Sequence, residues 1–138
     1  MASYLLDTNH ISPLITPKHL LRQHFVQQHA TGHSFSIAVP ALTEMLFGIR
    51  TLPRAERNLQ EWQIVEGLFT FYHIEKQDAE DAADLQVILR RQGWQLGTVD
   101  ALIATIALRY GLILLTTDKD YKAVPGLQQT NWLIAIQP

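Results

Sequence analysis

Four acidic side chains stand where apolar segments end or where helices begin, and they are the residues best suited to chemistry. They are Asp7, Glu44, Asp100 and Asp118. Carboxylate oxygens are ligands that magnesium and manganese prefer. Two carboxylates about 4 Å apart repel by roughly 4 kcal/mol at an effective dielectric near 20, against the roughly 5–15 kcal/mol that stabilises a domain. A pocket of such acids therefore predicts a Mg²⁺ site, which Mn²⁺ could also occupy.

Asp7 and Asp118 each follow a run of residues with the pattern of a strand. Asp7 ends the apolar run Tyr4–Leu6 and precedes two helix-capping residue types. Asp118 follows the apolar and β-branched run 112–117, which is typical of a parallel strand covered on both faces. Ligands gather at the carboxyl ends of parallel strands, so both acids are expected at one edge of a sheet. Taken singly, each could be an ordinary turn acid.

Glu44 is the one carboxylate on a mostly apolar segment that we predict to be a helix. Pro40 suits the first turn of this helix, and Gly48 predicts either close packing or the helix end. Lysine and arginine are absent from positions 40–49, so no cation nearby in the sequence neutralises Glu44. A distant arginine could still do so.

Asp100 lies at the head of another predicted helix, Val99–Tyr110. Thr98 is the expected N-cap, and Gly111 is expected to stop the helix. The charge of Asp100 would then lie at the positive end of the helix dipole. Taken alone, Asp100 could be only a helix-start charge, so the four acids argue more strongly together than singly.

Apolar segments and amphipathic segments alternate along the chain, which predicts an α/β fold with a mostly parallel central sheet flanked by helices. We expect further helices within Ser12–Thr31, from Pro53 onward, and from an Asp78 cap to Gly93. The predicted strands are Tyr4–Leu6, Ser34–Val39, Phe69–His73, Ile113–Thr116 and Trp132–Ile136.

The composition is typical of one small intracellular domain. The chain has 138 residues, of which 47% are hydrophobic. This is enough to form a hydrophobic core, and we expect one domain over residues 1–138. Cysteine is absent, which excludes disulfides and thiolate chemistry and is compatible with a cytoplasmic location. No signal peptide or apolar run of about 18 residues is visible, so we expect no membrane association.

The net charge of −2 gives no general attraction to nucleic acid. Any RNA would have to be held by local cations and by metal. Arg50 and Lys119 each lie within a few residues of a candidate ligand, where they could contact a substrate phosphate. Arg90 and Arg91 are better explained as part of a solvated helix face.

Several motifs occur in a characteristic order. They are Leu5-Leu6-Asp7-Thr8-Asn9, Thr43-Glu44-Met45-Leu46-Phe47-Gly48-Ile49, Val99-Asp100-Ala101-Leu102-Ile103-Ala104 and Leu115-Thr116-Thr117-Asp118-Lys119-Asp120-Tyr121. In this combination the chain resembles the PIN-domain family over nearly its whole length, and within that family the VapC-type toxins.

The resemblance implies a metal-dependent endoribonuclease that is neutralised by a cognate antitoxin and forms a homodimer. The acids Asp7, Glu44, Asp100 and Asp118 match the family's acidic quartet, Asp120 its occasional fifth acid, and Asn9 and Thr117 its polar helpers.

Hard oxygen ligands without a cysteine or serine nucleophile point to water activated by one or two Mg²⁺ ions. We expect Asp7, Asp100 and Asp118 to contact the metal directly or through water. Glu44 is either a ligand or a general base, and Asn9 and Thr117 would orient the carboxylates or the water.

Two other functions remain open at this point. A haloacid-dehalogenase-like phosphatase also has an aspartate after its first strand, but it requires Asp-x-Asp, and position 9 is asparagine. The other is a non-catalytic module whose acidic pocket captures an arginine from a partner.

Two further positions have simpler expected roles. His10 lies near the candidate site, and we expect a surface or capping role more than contact with substrate. Trp62 is expected in the core.

Overall fold

The computed structural model describes residues 1–135, which form an α/β fold around one sheet. All four strand pairings are parallel, in the order β3-β2-β1-β4-β5. The predicted α/β class is therefore confirmed. The strands are β1 (Ser3–Leu6), β2 (Ser34–Ala38), β3 (Phe69–Tyr72), β4 (Ile113–Leu115) and β5 (Gln129–Thr130).

Helices connect the strands, and two short 3₁₀ helices occur at Ser12–Ile15 and Lys119–Ala123. None of the helices within residues 1–135 has the length and apolarity needed to cross a membrane. The α-helices are α1 (Thr8–Ile11), α2 (Leu20–Ala30), α3 (Val39–Thr51), α4 (Ala55–Glu66), α5 (Lys76–Arg91), α6 (Thr98–Tyr110) and α7 (Trp132–Ala135).

The central strands are apolar at consecutive positions because both faces of the sheet are covered. Leu5 and Leu6 of β1 are both buried, as are Leu114 and Leu115 of β4. Successive side chains of a strand point to opposite faces, so burial of both requires helices on each side.

The carboxyl ends of β1 and β4 lie side by side. Leu6 pairs with Leu115 in the sheet register, and the backbone N–H of Asp7 donates to the Leu115 carbonyl at 3.0 Å. The chain runs from β1 to one side of the sheet and later crosses to the other, so this pair marks the topological switch point where α/β folds bind ligands.

Helices α3 and α6 bring two further segments to this edge. The buried residues of α3 are Ala41, Met45 and Ile49, one per turn, which leaves Glu44 exposed beside the buried stripe. Gly48 neither ends α3 nor packs closely, since the helix continues to Thr51 and nothing lies within 4 Å of an added Cβ.

The prediction of a final strand at Trp132–Ile136 is wrong for the part that the structure describes. Residues 132–135 form α7, and β5 lies just before them; Ile136 is outside the described residues. The backbone N–H of Trp132 donates to His10 Nε2 at 3.1 Å, a partner in another element. Short apolar runs are ambiguous between strand and helix, and tertiary contacts decide between them here.

Asp78 does not cap α5 as predicted. The N-cap is Glu75, and Asp78 is the third residue of the helix, where its carboxylate accepts from the Glu75 N–H at 2.9 Å. Asp78 also pairs with Arg109 of α6 at 2.8 Å. Asp78 therefore accepts the backbone N–H of the N-cap from within the first turn of α5, as in a capping box.

Other predicted helix starts shift by a few residues. Gly97, not Thr98, is the N-cap of α6. Helix α4 begins after Arg54, which has a positive φ of 64°, and not at Pro53. The helix predicted within Ser12–Thr31 is confirmed for α2 only, because Pro17 has no N–H to continue a helix from the preceding 3₁₀ turn.

Candidate active site

Asp7 is the most enclosed of the candidate acids, with an exposed fraction of 5%. One oxygen accepts from the Thr8 N–H at 2.9 Å, which makes Asp7 the N-cap of α1, and the other accepts from the Thr116 hydroxyl at 2.9 Å. Burial raises the pKa of Asp7 against these two hydrogen bonds, and the charges of Asp118 and Glu44 raise it further.

The hydroxyl of Thr116 takes part in several hydrogen bonds at the carboxyl edge of the sheet. It donates to Asp7 and accepts from the Asp118 N–H at 3.0 Å, and the Asn9 side-chain amide lies 3.4 Å away. Thr117, which is predicted to orient the carboxylates or the water, donates through its backbone N–H to Asn9 Oδ1 at 3.1 Å. Thr116 is buried at the strand end, whereas Thr117 is exposed.

Asp100 lies in the first turn of α6 and faces the same acids. Its Oδ1 accepts from the Tyr121 hydroxyl at 3.0 Å. Burial raises the pKa of Asp100, the Tyr121 hydrogen bond opposes this rise, and the charges of Asp7, Asp118 and Asp120 add to it. Burial also raises the pKa of Tyr121 far above its usual range, so this phenol stays protonated and donates.

Asp118 and Asp120 follow β4 in one tight turn. Asp118 is the N-cap of the 3₁₀ helix, and its Oδ1 accepts from the Asp120 N–H at 2.8 Å. Asp120 itself is exposed. The charge of Asp120 helps to raise the pKa of Asp100, so the predicted fifth acid lies close enough to interact with the quartet.

Glu44 reaches the cluster from α3. Its Oε1 accepts from the hydroxyl of Thr8 at 3.3 Å, and its charge helps to raise the pKa of Asp7. The structure therefore brings all five predicted acids together at the carboxyl edge of the sheet. No ion pair with lysine or arginine occurs at any of these five acids within residues 1–135.

The donor set fits a hard divalent cation in its chemistry, because all five side chains are carboxylates and two have raised pKa values. Within the part of the chain that the structure describes, however, the carboxylates do not converge on one point closely enough to hold an ion as they stand. Asp100, for example, accepts a hydrogen bond from Tyr121.

The two predicted substrate cations are placed differently. Lys119 lines a cavity of about 290 Å³ together with Asp118 and Lys122. Arg50 is in the last turn of α3, roughly 9 Å along the helix axis from Glu44 and about 240° around it. Lys119 therefore borders the acids, whereas Arg50 faces away from Glu44.

His10 is fully buried, so of the expected surface or capping role the surface position is wrong, whereas its ring accepts from the first backbone N–H of α7. Its Nδ1 lies 2.8 Å from Asn9 Oδ1, and its Nε2 accepts from the Trp132 N–H. Burial lowers the pKa of His10 to about 4, so the ring is neutral, with Nδ1 as the donor and Nε2 as the acceptor. The ring thereby links α7 to α1, the helix that contains Asn9 and has Asp7 as its N-cap.

The fold and the site together define a class of α/β protein. Its members have a parallel sheet with a cluster of carboxylates, suited to bind a cation, at the topological switch point. The sequence model of the family described as "PIN domain" matches residues 4–127. The chain belongs to the PIN-domain family.

Two known relatives match nearly the whole chain. The chain is 27% identical over 138 residues to the tRNA(fMet)-specific endonuclease VapC of Salmonella typhimurium strain LT2, covering 96% of this chain and 99% of the relative. It is 28% identical over 137 residues to the protein of the same name from Shigella flexneri, with the same coverage.

Among solved structures, VapBC2 from Rickettsia felis bound to a promoter DNA fragment superposes with a TM-score of 0.83 at 23% identity, covering 94% of this chain and 98% of that one. At this identity the likeness concerns the fold. The predicted resemblance to VapC-type members of the family is confirmed.

Proposed function

We propose that this protein is a metal-dependent endoribonuclease, the toxin of a toxin–antitoxin pair, and that it hydrolyses RNA phosphodiesters with Mg²⁺ or Mn²⁺. One observation carries the proposal. Five acids share one edge of the sheet, none of them in an ion pair with lysine or arginine within residues 1–135, and burial and mutual repulsion raise the pKa of two of them. An external cation would offset this repulsion.

Asp7, Asp100 and Asp118 are the acids we assign to the metal, with Asp120 as a further ligand. A divalent ion bound there would lower the pKa of a water molecule and stabilise negative charge on the scissile phosphate. Glu44 is exposed and contacts only the Thr8 hydroxyl among the hydrogen bonds within residues 1–135. It is therefore placed to accept a proton from the attacking water or to serve as another ligand.

The remaining polar residues fix the orientation of these acids. Thr116 and Thr8 each donate to one oxygen of Asp7, so this carboxylate has a defined direction before any ion arrives. Asn9 holds the Thr117 backbone, and Tyr121 holds Asp100. Such outer contacts maintain ligand geometry and are expected to tune metal affinity.

We propose RNA, and transfer RNA first, as the substrate class, because the two relatives compared above are both named as tRNA(fMet)-specific endonucleases. Lys119 and Lys122 border Asp118, where they can contact phosphates on either side of the cut. Such a substrate is reached in the cytoplasm, which we propose as the location.

We further propose a cognate antitoxin and a second copy of the chain as partners. Phe47 and Leu52 are more than half exposed at the end of α3 and just after it, and so is Ile64 of α4. Apolar side chains of this size are unfavourable in water, and a partner would cover them. The implied family role supports the same partners.

Cleavage of RNA by the purified chain tests the proposal. Transfer RNA and total cellular RNA are incubated with Mg²⁺ or Mn²⁺, beside an EDTA control and the Asp100→Ala variant. We expect discrete fragments that disappear in both controls.

Intact RNA in every lane, from a folded protein that binds manganese, would overturn the proposal. Release of inorganic phosphate from a small phosphomonoester would then favour the phosphatase. Binding of an arginine-bearing peptide without hydrolysis would favour the non-catalytic module.

A further inference from the structure

A groove beside the acids has no part in the chemistry proposed above. It has a volume of about 580 Å³ and lies between the second half of α5 and the segment that leads into α6. This volume is in the range of sites that bind small molecules or parts of larger ones. The residues that define it include Gln86, Val87, Arg90, Trp94, Leu96 and Thr98.

Trp94 is the aromatic side chain of the groove, and it is held in place from two sides. The backbone N–H of Trp94 donates to the Leu89 carbonyl at 2.9 Å. The backbone N–H of Gly93, a residue with a positive φ of 79°, donates to the Arg90 carbonyl. This is the Schellman pattern that ends a helix. Its indole Nε1–H donates to the Asp120 carbonyl at 2.8 Å.

The indole is nevertheless accessible, with an exposed fraction of 36%. A partly exposed aromatic side chain that two hydrogen bonds hold in place has already lost part of the conformational freedom that binding would otherwise remove. The groove around it is also firm, because the Gln86 amide donates to the Leu96 carbonyl at 3.0 Å and Leu96 is buried.

Two lining residues, Trp94 and Thr98, connect the groove to the candidate active site. The carbonyl that accepts from Trp94 belongs to Asp120, one of the five acids. Thr98, which lines the groove, precedes Asp100 by two residues in the same helical turn. A strand whose phosphate lay at the acids would therefore place a neighbouring nucleotide near this groove.

The charge of the groove suits the same occupant. Arg90 lines it, and no acidic side chain is among the described residues that do. Ion pairs of Arg90 are also absent within residues 1–135. An aromatic face beside a free guanidinium is the arrangement that binds unpaired bases of single-stranded nucleic acid, with the ring stacking and the cation at phosphate.

We propose that this groove is a subsite for one unpaired nucleobase of the RNA substrate, stacked on Trp94, with its phosphate at Arg90. The inference rests on the proposed function and adds to it a requirement for unpaired sequence beside the cut.

Tryptophan fluorescence can detect the stacking of a base on Trp94. Trp62 and Trp132 are buried, with exposed fractions of 4% and 9%, so Trp94 is the tryptophan that a ligand can reach. A short single-stranded oligoribonucleotide is titrated in EDTA, where cleavage cannot interfere. We expect stacking to quench the exposed indole, and in parallel the anisotropy of labelled RNA gives the Kd.

Two substitutions separate stacking from folding. Trp94→Leu removes the aromatic face and is expected to abolish quenching and weaken binding about tenfold. Trp94→Phe keeps an aromatic face, so the quenching disappears but most of the affinity remains. Equal Kd values for the wild type and Trp94→Leu, with both folded by circular dichroism, would overturn the subsite.

Arg90→Gln has a matched control in Arg91→Gln, since Arg91 is exposed on the same helix but does not line the groove. Only Arg90→Gln should reduce the slope of log affinity against log salt, by about 0.7 for a contact to single-stranded RNA. Equal slopes in both variants would contradict the phosphate contact.

Failure of this inference is distinguishable from failure of the proposed function. If Mg²⁺-dependent cleavage occurs with the same KM in the wild type and Trp94→Leu, the subsite is wrong and the nuclease stands. If RNA quenches Trp94 but is never cut, the binding site stands and the nuclease is wrong. Absence of quenching by RNA, with quenching by an antitoxin peptide, would assign the groove to a protein partner and overturn the inference.

Discussion

Asp78 and Asp7 are both buried aspartates, but in the part of the chain that the structure describes only Asp78 forms an ion pair. Asp78 is fully enclosed, accepts from the Glu75 N–H, and pairs with Arg109 at 2.8 Å. Asp7 accepts only from neutral donors, and other carboxylates lie around it. Within residues 1–135, Asp78 has a counter-ion and Asp7 has none.

The difference distinguishes a structural carboxylate from a candidate ligand. The guanidinium of Arg109 neutralises Asp78, while Asp78 and Glu75 in turn hold the pKa of Arg109 above its usual range. Around Asp7 the repulsion is not offset by the protein, so the cation has to come from solution. Burial alone would not separate the two sites, but the presence of a partner does.

The largest expected effect is on catalysis. Asp7→Asn keeps the size and the capping ability of the side chain but removes one negative charge, so RNA cleavage should fall by roughly 10²–10³-fold. The rate of cleavage under single-turnover conditions measures this loss. Asp84→Asn is the matched control, because Asp84 is an exposed acid of α5. Equal losses in the two variants would mean that general charge, and not the cluster, supports cleavage.

The counterpart at Asp78 should affect stability. Arg109→Met leaves the buried carboxylate of Asp78 without its partner, so the free energy of unfolding should fall. Lys76→Met breaks the exposed pair with Glu80 and should cost about 1 kcal/mol or less. Urea denaturation measures both. A loss at Arg109 no larger than at Lys76 would remove the distinction between the two aspartates.

His10 extends the comparison to a buried group that is held neutral. Its pKa is about 4 in the folded protein and 6.5 as an ordinary histidine. Between these values the unfolded state binds the additional proton, so stability is fully present above about pH 6.5. It should fall by on the order of 2–3 kcal/mol as the pH drops towards 4.

The raised pKa values of Asp7 and Asp100 act in the opposite direction, because there the folded state binds protons more readily as the pH falls. The contribution of His10 is therefore the difference between the wild type and His10→Gln, whose amide does not titrate. Chemical denaturation across this pH range measures it. Identical pH profiles of the two proteins would contradict the buried, neutral ring.

The smallest expected effect concerns the cations. Lys119→Gln should raise KM a few-fold and lower the salt slope of RNA binding by about 0.7, because this lysine borders Asp118. Arg50→Gln should change KM less, since Arg50 lies on another side of α3. A larger effect at Arg50 would place the RNA path over α3 instead.

The position of the acids could be predicted because it depends on local pattern and on one rule of topology. Asp7 and Asp118 follow apolar runs, and parallel strands bring their carboxyl ends to one edge. Asp100 opens a helix whose end at Gly111 was also predicted and is found, with a φ of 65°. The parallel sheet, and with it the shared edge, followed from the alternation of elements.

The contacts that orient the acids could not be predicted, because they depend on tertiary packing. Leu114, Leu115 and Thr116 are all buried, so strand alternation does not indicate which of two adjacent threonines turns inward. His10 becomes buried through a hydrogen bond to Trp132, 122 positions away in the chain. The same contact accompanies the helix that replaces the predicted last strand.

The central claim is that the acids at this edge of the sheet bind a cation from solution. Its most direct test is to measure the melting temperature with EDTA and with Mn²⁺. Asp100→Asn removes one like charge, so it should melt above the wild type in EDTA and show a smaller increase with Mn²⁺. Asp84→Asn should respond to Mn²⁺ as the wild type does. An Asp100→Asn protein with an undiminished manganese shift would contradict the claim.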